Sequence, residues 1–476
     1  MKRKKLYLLI LLSIFLITRL LFLNSGLNVL EPDEQDYQEI VQSAESKFWP
    51  LYWQGQPYFE KFPLFIYLGF FLGKLFPFLF KIGPYLNLRL ISVVSFFGLS
   101  LLFFKYIEER ADTKSAFFST LFLLLNPLLL FYSRQGTFET FFLFFGFLFF
   151  YFFEQHKKAL DFKKTAFLGI LLALAILSKH INILLIILPA YYFLEELLGR
   201  KRKSKKWIWF LILGILTEAL LLLSIVPVYL YSKELILAQF IGVPRQFFIT
   251  SPKAFFAILW EFLKIAPFWL SWPIAIGSLI GIGLSFKNLK GNLNYLLILA
   301  IGFIYINSYY VTPRSFIFIV PYLMISFSLF LQILEKSKLY RPILFMILSL
   351  TFLQAKVAFD STRHIGLELL LEKAKQVHQK NHLPIFSTFE EDKLSKITSL
   401  DIKLLNSEAT KSGLVLTDQR KTELMLSLSQ PSFKQANQAL NWIKENKKPI
   451  WEYNDPFPHF PGSRFPNKFY LYQFSD

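Results

Sequence analysis

Long apolar runs alternate with short polar loops over the first three quarters of the chain. A membrane-spanning helix needs roughly 20 apolar residues, whereas a helix of a soluble protein carries a polar face that interrupts such runs. The pattern therefore predicts a polytopic α-helical membrane protein with about eleven spans. After the N-terminal run, the clearest spans are predicted at 116–133, 138–153, 166–178, 181–198, 207–231, 266–285, 295–311, 315–334 and 342–358.

The loops between these runs predict the orientation, because cytoplasmic loops carry an excess of lysine and arginine. The chain begins MKRKK and continues apolar to Leu23, interrupted by Arg19 and without the small-residue cleavage site of a signal peptide. The basic sequences EQHKKALDFKK, GRKRKSKK, KNLKGN and EKSK follow alternate spans. We predict an uncleaved first span with a cytoplasmic N-terminus, in the plasma or inner membrane.

Residues 64–80 form the one ambiguous run, LFIYLGFFLGKLFPFLF, which contains Lys74 and Pro77. If this run crossed the bilayer, every later basic loop would lie outside, against the orientation rule. We therefore predict a helix at or dipping into the outer interface. The run 254–264, with Trp260 and two charged residues, predicts a second interfacial helix.

The tail, residues 359–476, changes in composition. GLELLLEKAKQVHQKN and FKQANQALNWIKEN have helical spacing, whereas LPIFSTF, GLVLTD and KFYLYQF are typical of short strands. With the last span predicted to end outside, the tail is expected to be a small extracytoplasmic α/β domain. The predicted organisation is a membrane domain over 1–358, with a first external loop at 24–80, followed by this domain.

Composition narrows the classes of function. The chain has 476 residues, is 54% hydrophobic with 57 phenylalanines, contains no cysteine, and carries a formal net charge of +19. Its basic residues lie in short loops between apolar runs, so the charge indicates membrane orientation rather than nucleic-acid binding. The absence of cysteine excludes disulfides and cysteine-ligated metals.

Charged residues recur at the predicted outer face. EPDEQDY contains Asp33 and Glu34, and YFEKFP contains Lys61. Each has an ordinary explanation, because acids stabilise the first turn of a helix and a lysine can extend to the membrane interface. The same face is predicted to hold Arg134, Glu139, Lys179 and Arg314. For Arg134 an ion pair with Glu139, and for Lys179 an interfacial position, are the corresponding alternatives.

The order of these motifs resembles a family of bacterial 4-amino-4-deoxy-L-arabinose transferases that act on lipid A, with protein O-mannosyltransferases as more distant relatives. Both are GT-C type integral-membrane glycosyltransferases that use polyprenyl-phosphate-linked sugars. In the first loop the matching residues are Pro32, Asp33, Glu34, Tyr37, Gly55, Pro57, Tyr58, Phe59, Glu60, Lys61 and Pro63. SRQGTFE, GILLALAILSKH and VTPRSFIFIVPYL follow in family order and extend the resemblance over residues 1–335.

The chain departs from the family pattern in four places that bear on the sugar rather than on the reaction class. Asp36 precedes Tyr37 where the family has arginine, Phe62 replaces a proline, Glu139 replaces an aspartate, and His180 replaces a glycine.

The resemblance implies a catalytic pair, Asp33 and Glu34, in which Asp33 accepts the proton of the acceptor hydroxyl as attack begins. It also implies cations where charge develops on the leaving lipid phosphate. The substrate- and phosphate-binding set is Tyr37, Tyr58, Lys61, Arg134, Glu139, Lys179 and Arg314.

The implied reaction transfers a sugar with inversion from a polyprenyl-phosphate carrier to an extracytoplasmic glycolipid (lipid A included), glycan or protein. The lipid bilayer is the other partner, and nucleic acid is not one. No cofactor is predicted, and a divalent metal is left open; His378 and His382 at helical spacing are expected on a solvated face. The alternatives are an oligosaccharide ligase or polymerase with lipid-pyrophosphate donors, and a lipid or solute transporter.

Overall fold

The computed structural model describes residues 2–23, 33–46, 51–53, 56–57, 64–83, 85–198, 206–231, 260, 266–308, 313–361, 366–387, 401–404, 413–418, 442–443, 448–458 and 466–474. The chain divides into two compact units. One comprises Met1–Asn24 and Asp36–Lys356, and the other comprises Ser25–Gln35 and Val357–Asp476.

The first unit is a helical bundle. Its helices are α1 (Lys2–Leu20), α2 (Asp33–Ser46, whose first three residues belong to the second unit), α3 (Leu64–Leu75), α4 (Phe78–Ile82), α5 (Leu86–Arg110), α6 (Thr113–Leu125), α7 (Pro127–Tyr132), α8 (Glu139–His156), α9 (Phe162–Ser178), α10 (Ile187–Leu198), α11 (Lys206–Tyr231), α12 (Trp272–Ser285), α13 (Leu289–Ser308), α14 (Pro313–Phe316), α15 (Val320–Glu335) and α16 (Tyr340–Ser361, whose last five residues belong to the second unit). Short 3-10 helices cover His180–Ile186, Phe286–Asn288 and Ile317–Ile319, and residues 266–270 are also helical.

Five helical segments within the described residues are long and apolar enough to cross a bilayer, so the chain is a multi-pass membrane protein. The predicted number of about eleven spans stays a prediction. The most extensive packing joins α12 to α15, and further close pairs are α5 with α8 and α9 with both α8 and α11. Large apolar side chains point outward, for example Leu279 on α12 and Phe345 on α16, as lipid contact requires.

The ambiguous run 64–80 forms two short helices rather than one. The 12 residues of α3 span about 18 Å, well short of a hydrocarbon core of about 30 Å, and Pro77 separates α3 from α4. One face of α3 packs on α2 and α5, where Phe65, Ile66 and Phe70 join a buried apolar cluster. The opposite face exposes Leu68 and Phe71. This two-faced helix is consistent with a position at the membrane interface, which stays a prediction.

Cysteine labelling tests the predicted orientation, because the chain has no cysteine of its own. A cysteine introduced at Lys203, in the strongly basic loop, is expected to react with a membrane-impermeant maleimide only from the cytoplasmic side. A cysteine at Lys375, exposed on the helix of the tail, serves as the opposite control and is expected to react from outside. Labelling of Lys203→Cys from outside would overturn the predicted orientation.

The second unit contains a five-stranded mixed sheet in the order β4-β3-β5-β7-β6, and helix α17 (Gly366–Asn381) packs on β5 and β7. Of the other predicted helix, FKQANQALNWIKEN, only Trp442 and Ile443 are described, and both are helical. The strands are β3 (Ile385–Ser387), β4 (Ile402–Leu404), β5 (Gly413–Asp418), β6 (Trp451–Pro458) and β7 (Pro466–Phe474); β1 (Tyr52–Trp53) and β2 (Gln56–Pro57) pair in the first unit. Strand β3 is parallel to β4 and β5, and β7 is antiparallel to β5 and β6. The α/β prediction for the tail is confirmed, and β4 and β6 are additional strands.

The histidine pair of the tail does not lie on one helix face. Helix α17 ends at Asn381, and His382 adopts a positive φ of 53°, so its side chain leaves the helical spacing. His378 is half-buried and its Nδ1 donates to the carbonyl oxygen of Leu383 at 2.7 Å. The expected solvated face is therefore wrong for His378, which instead closes the helix end.

Candidate functional site

Glu139 is the centre of a charged cluster built from three distant segments of the chain. Its side chain is buried at the first residue of α8, and its Oε1 lies 3.0 Å from Lys179 Nζ and 3.8 Å from Arg314 Nε. Lys179 follows α9 and Arg314 lies in α14. The other carboxylate oxygen, Oε2, is buried and accepts no hydrogen bond from the described residues. The buried carboxylate is therefore balanced by two cations from other segments.

A break in the helix after α9 positions Lys179. The residue adopts extended backbone angles between α9 and the 3-10 helix that follows, and its ammonium lies 4.7 Å from the centre of the Phe142 ring. Asn182 holds this corner because its Nδ2 donates to the Phe142 carbonyl of α8 at 3.0 Å and to the Ala175 carbonyl of α9 at 2.8 Å. Gly146 provides the space, since a Cβ there would lie 2.8 Å from the amide oxygen of Asn182.

Replacing Asn182 by alanine is expected to lower the free energy of unfolding by about 1–3 kcal/mol, because the two hydrogen bonds that its amide donates to buried carbonyls are lost. Thermal unfolding of the purified protein measures this loss. Asn381→Ala removes an exposed asparagine at the end of the tail helix α17 and is the control. Equal melting temperatures for the two variants would contradict this positioning role.

The start of α8 is held from a second direction by α5. Ser92 donates its hydroxyl to the Thr137 carbonyl at 3.0 Å, and Thr140 donates its hydroxyl to the Ser92 carbonyl at 2.9 Å. All three side chains are buried. Residues on both sides of Glu139 are therefore fixed, which limits the positions that its carboxylate can adopt.

Three buried arginines meet at the C-terminal end of α1, where helix carbonyls lack intrahelical donors. Arg134 Nη1 donates to the carbonyls of Thr18 and Arg19 at 2.8 and 3.3 Å, and Arg89 Nη1 donates to the Leu23 carbonyl at 2.7 Å. Arg19 itself donates Nε to Ser133 Oγ at 2.9 Å and lies over the Phe96 ring. Arg134 thus contacts α1, while the ion pairs of Glu139 run to Lys179 and Arg314.

Helix α2 begins with the predicted catalytic acids. Asp33 is its first residue, and Glu34 is buried in the first turn. One turn later, the Tyr37 ring packs edge-on against Phe138 at 4.7 Å and against Phe65 at 6.3 Å. Phe138 immediately precedes Glu139, so Tyr37 packs the part of α2 that belongs to the first unit beside the start of α8.

The structure therefore brings together three of the predicted residues, Glu139, Lys179 and Arg314, and places Tyr37 next to their cluster. Arg134 contacts the end of α1, and Glu34 belongs to the second unit. The side chain of Asp33, together with Tyr58 and Lys61, lies outside the described residues. No group of three histidine or acidic residues suited to a metal occurs in the part of the chain that the structure describes.

Sequence reasoning missed the contacts of Arg19, Ser92 and Asn182. The contacts of Arg19 could have been expected from the sequence, because a charge inside an apolar run is costly and is usually paired or functional. The contacts of Ser92 and Asn182 could not, since small polar residues are common in membrane helices and only the fold identifies their carbonyl partners.

Comparisons with known proteins agree with this architecture. Residues 67–233 match the family model described as dolichyl-phosphate-mannose-protein mannosyltransferase. The structure of ArnT from Cupriavidus metallidurans bound to undecaprenyl phosphate is similar, with 14% identity, a TM-score of 0.60, and coverage of 98% of this chain and 97% of that one. A sequence comparison with curated proteins finds no match.

An archaeal oligosaccharyltransferase from Archaeoglobus fulgidus, solved with zinc and sulfate, is also similar. It shares 13% identity and a TM-score of 0.53, with coverage of 96% of this chain and 72% of that one. The same organism's AglB, in complex with an inhibitory peptide and a dolichol-phosphate, shares 12% identity and a TM-score of 0.51 over 95% of this chain and 73% of that one. The chain therefore has the polytopic GT-C fold of the membrane glycosyltransferases that its sequence resembles.

Proposed function

We propose that the chain is an integral-membrane glycosyltransferase that moves a sugar from a polyprenyl-phosphate carrier to an acceptor outside the cytoplasm. The observation that carries this proposal is the convergence of Glu139, Lys179 and Arg314 from three distant segments. Charges within a membrane bundle are expensive and commonly mark a site. Proteins of the same fold have been solved with undecaprenyl phosphate and with a dolichol-phosphate, which supports a lipid-phosphate donor.

The reaction needs a base for the acceptor hydroxyl. In the proposed step the acceptor oxygen forms a bond to the anomeric carbon while the bond from that carbon to the phosphate oxygen breaks. The acceptor proton passes to the Asp33 carboxylate, and the phosphate leaves with the bonding electrons. A single displacement of this kind inverts the anomeric configuration. Glu34 is proposed to support Asp33 at the first turn of α2, where the helix dipole favours carboxylates.

The leaving group gains negative charge as its bond breaks, so fixed cations beside it lower the barrier. Arg314 is the first candidate because its planar guanidinium can contact two phosphate oxygens at once, and Lys61 and Lys179 are proposed to act with it. Glu139 lies against Lys179 and Arg314 and would orient both. Arg134 is proposed to contribute positive charge from the loop before α8, and Tyr37 and Tyr58 to border the substrate.

The experiment that tests this function is incubation of the purified protein with a panel of polyprenyl-phosphate sugars and with glycolipid, glycan and peptide acceptors. Release of polyprenyl phosphate, together with a product of inverted anomeric configuration, is the expected result. A retained configuration would contradict the single displacement and leave the transferase class intact. Absence of release across the panel would contradict the proposal.

The same assay separates the other two classes. An oligosaccharide ligase or polymerase would release lipid pyrophosphate from lipid-pyrophosphate donors and would be inactive with the monophosphate series. A transporter would move labelled lipid or solute across proteoliposomes without breaking a glycosidic bond. Transporters commonly carry inverted repeats with broken helices in matching positions, a pattern that the sequence does not display.

A further inference from the structure

A cavity with a charged rim lies at the opposite end of the bundle from the Glu139 cluster. It has a volume of about 740 Å³ and is lined by the C-terminal end of α5, the turn between α12 and α13, and the last turns of α15. Arg110, at its edge, pairs with Glu154 near the C-terminal end of α8. Since Glu139 begins the same helix, 15 residues earlier, the two sites are about 22 Å apart along α8.

Most charges at the cavity rim already have partners within the described residues. Asp112 accepts hydrogen bonds from the first backbone N–H groups of α6, and Glu335 pairs with Lys114 at 2.5 Å. Lys287 and Lys336 also line the rim, and both are exposed and form no ion pair with a described residue. The rim therefore offers two ammonium groups from different segments, one after α12 and one after α15.

Part of the cavity lining is apolar. Ile107 and Ile325 are buried, and Leu284 and Leu329 are half-buried along the same lining. A free phosphate would contact the lysines and leave this surface to water. An amphiphile with an anionic head would satisfy both parts, because apolar burial contributes about 25 cal/mol per Å² in addition to the charge attraction.

The position of the cavity favours a lipid as that amphiphile. Lys290, Lys338 and Arg341 lie next to it in the chain, so the end of the bundle that carries the cavity is strongly basic. Basic pockets between transmembrane helices at such an end are suited to anionic lipid head groups. We propose that this cavity binds an anionic phospholipid, with its phosphate between Lys287 and Lys336 and an acyl chain against Ile107 and Ile325.

The proposal is tested on the purified protein in phosphatidylcholine nanodiscs or in detergent. Phosphatidylglycerol is added, and its binding is measured by native mass spectrometry and by the shift of the melting temperature. Phosphatidylglycerol is expected to bind and raise the melting temperature, whereas phosphatidylcholine and inorganic phosphate are not. The double variant Lys287→Gln/Lys336→Gln should bind about thirtyfold more weakly, since each lysine near an anionic lipid contributes about fivefold. Both lysines are exposed, so the variant should fold normally.

A matched control keeps the test specific. Lys158→Gln/Lys163→Gln removes two exposed lysines at the same end of the bundle, in the connection between α8 and α9 and outside the cavity lining. It is expected to bind phosphatidylglycerol as the wild type does. Equal loss in the control would mean that general surface charge attracts the lipid, and equal binding of phosphatidylcholine or of inorganic phosphate would likewise overturn the proposal.

Discussion

Replacing Asp33 by asparagine is expected to lower turnover by about two to four orders of magnitude, the usual contribution of a positioned general base. Asparagine keeps the size of the side chain and can still accept a hydrogen bond, but it cannot take the proton of the acceptor hydroxyl. The measurement is kcat of the purified variant with saturating polyprenyl-phosphate sugar. Donor affinity and melting temperature should stay close to those of the wild type, because only the proton acceptor is lost.

Glu45→Gln on the same helix is the matched control, because it neutralises an exposed acid near the other end of α2. It should leave turnover unchanged. If Asp33→Asn also stays within a few-fold of the wild type, Asp33 serves only to stabilise the positive end of the helix dipole, an effect of about 0.3–1 kcal/mol. Glu34→Gln would then be the next variant to examine as the base.

The sequence was sufficient to predict the fold class, because apolar runs long enough to span a bilayer are a strong signal of membrane helices. The predicted span 138–153 corresponds to α8 (Glu139–His156), and the predicted helix of the tail corresponds to α17 (Gly366–Asn381). Backbone groups in lipid must be satisfied within the helix, so a long apolar run has few other conformations available. Strands β3, β5 and β7 followed from β-branched and aromatic runs for a similar local reason.

Tertiary packing decided what the pattern left open. The run 64–80 is apolar apart from Lys74, and its sequence does not state where its helices end. In the structure α3 stops after 12 residues and packs closely on α5, where a Cβ at Gly69 would lie 2.5 Å from Leu88. The short strands β4 and β6 were missed because three to eight residues carry little periodicity without the neighbours that pair with them.

The candidate site shows the same division. The sequence predicted Glu139, Lys179 and Arg314 as members of one site, because the resemblance and the charge pattern of the loops both put them on one face. It did not predict their partners: Arg134 contacts α1 carbonyls, and Glu139 pairs with the other two cations. Whether two charges pair depends on their distance in the folded protein. The spacing of five residues between Arg134 and Glu139 does not determine that distance.

Arg314→Lys is expected to weaken binding of free polyprenyl phosphate although the charge is kept, because lysine lacks the planar fork that contacts two phosphate oxygens. Arg314→Ala should weaken it by about ten- to a hundredfold, the range for a lost hydrogen bond to a charged group. Lys61→Ala is expected to weaken it similarly from the first external loop. Affinity is measured by titrating the purified protein with the lipid phosphate, separately from turnover.

The double variant distinguishes a shared anion from two independent surface charges. If Arg314 and Lys61 contact one phosphate, the loss of either changes the position that the phosphate takes beside the other, so the effects should not add. Arg341→Ala, which removes an exposed arginine at the start of α16, is the control and should bind the lipid phosphate normally. Strict additivity, or unchanged affinity in both single variants, would mean that YFEKFP anchors the loop at the membrane interface and that Arg314 serves Glu139 alone.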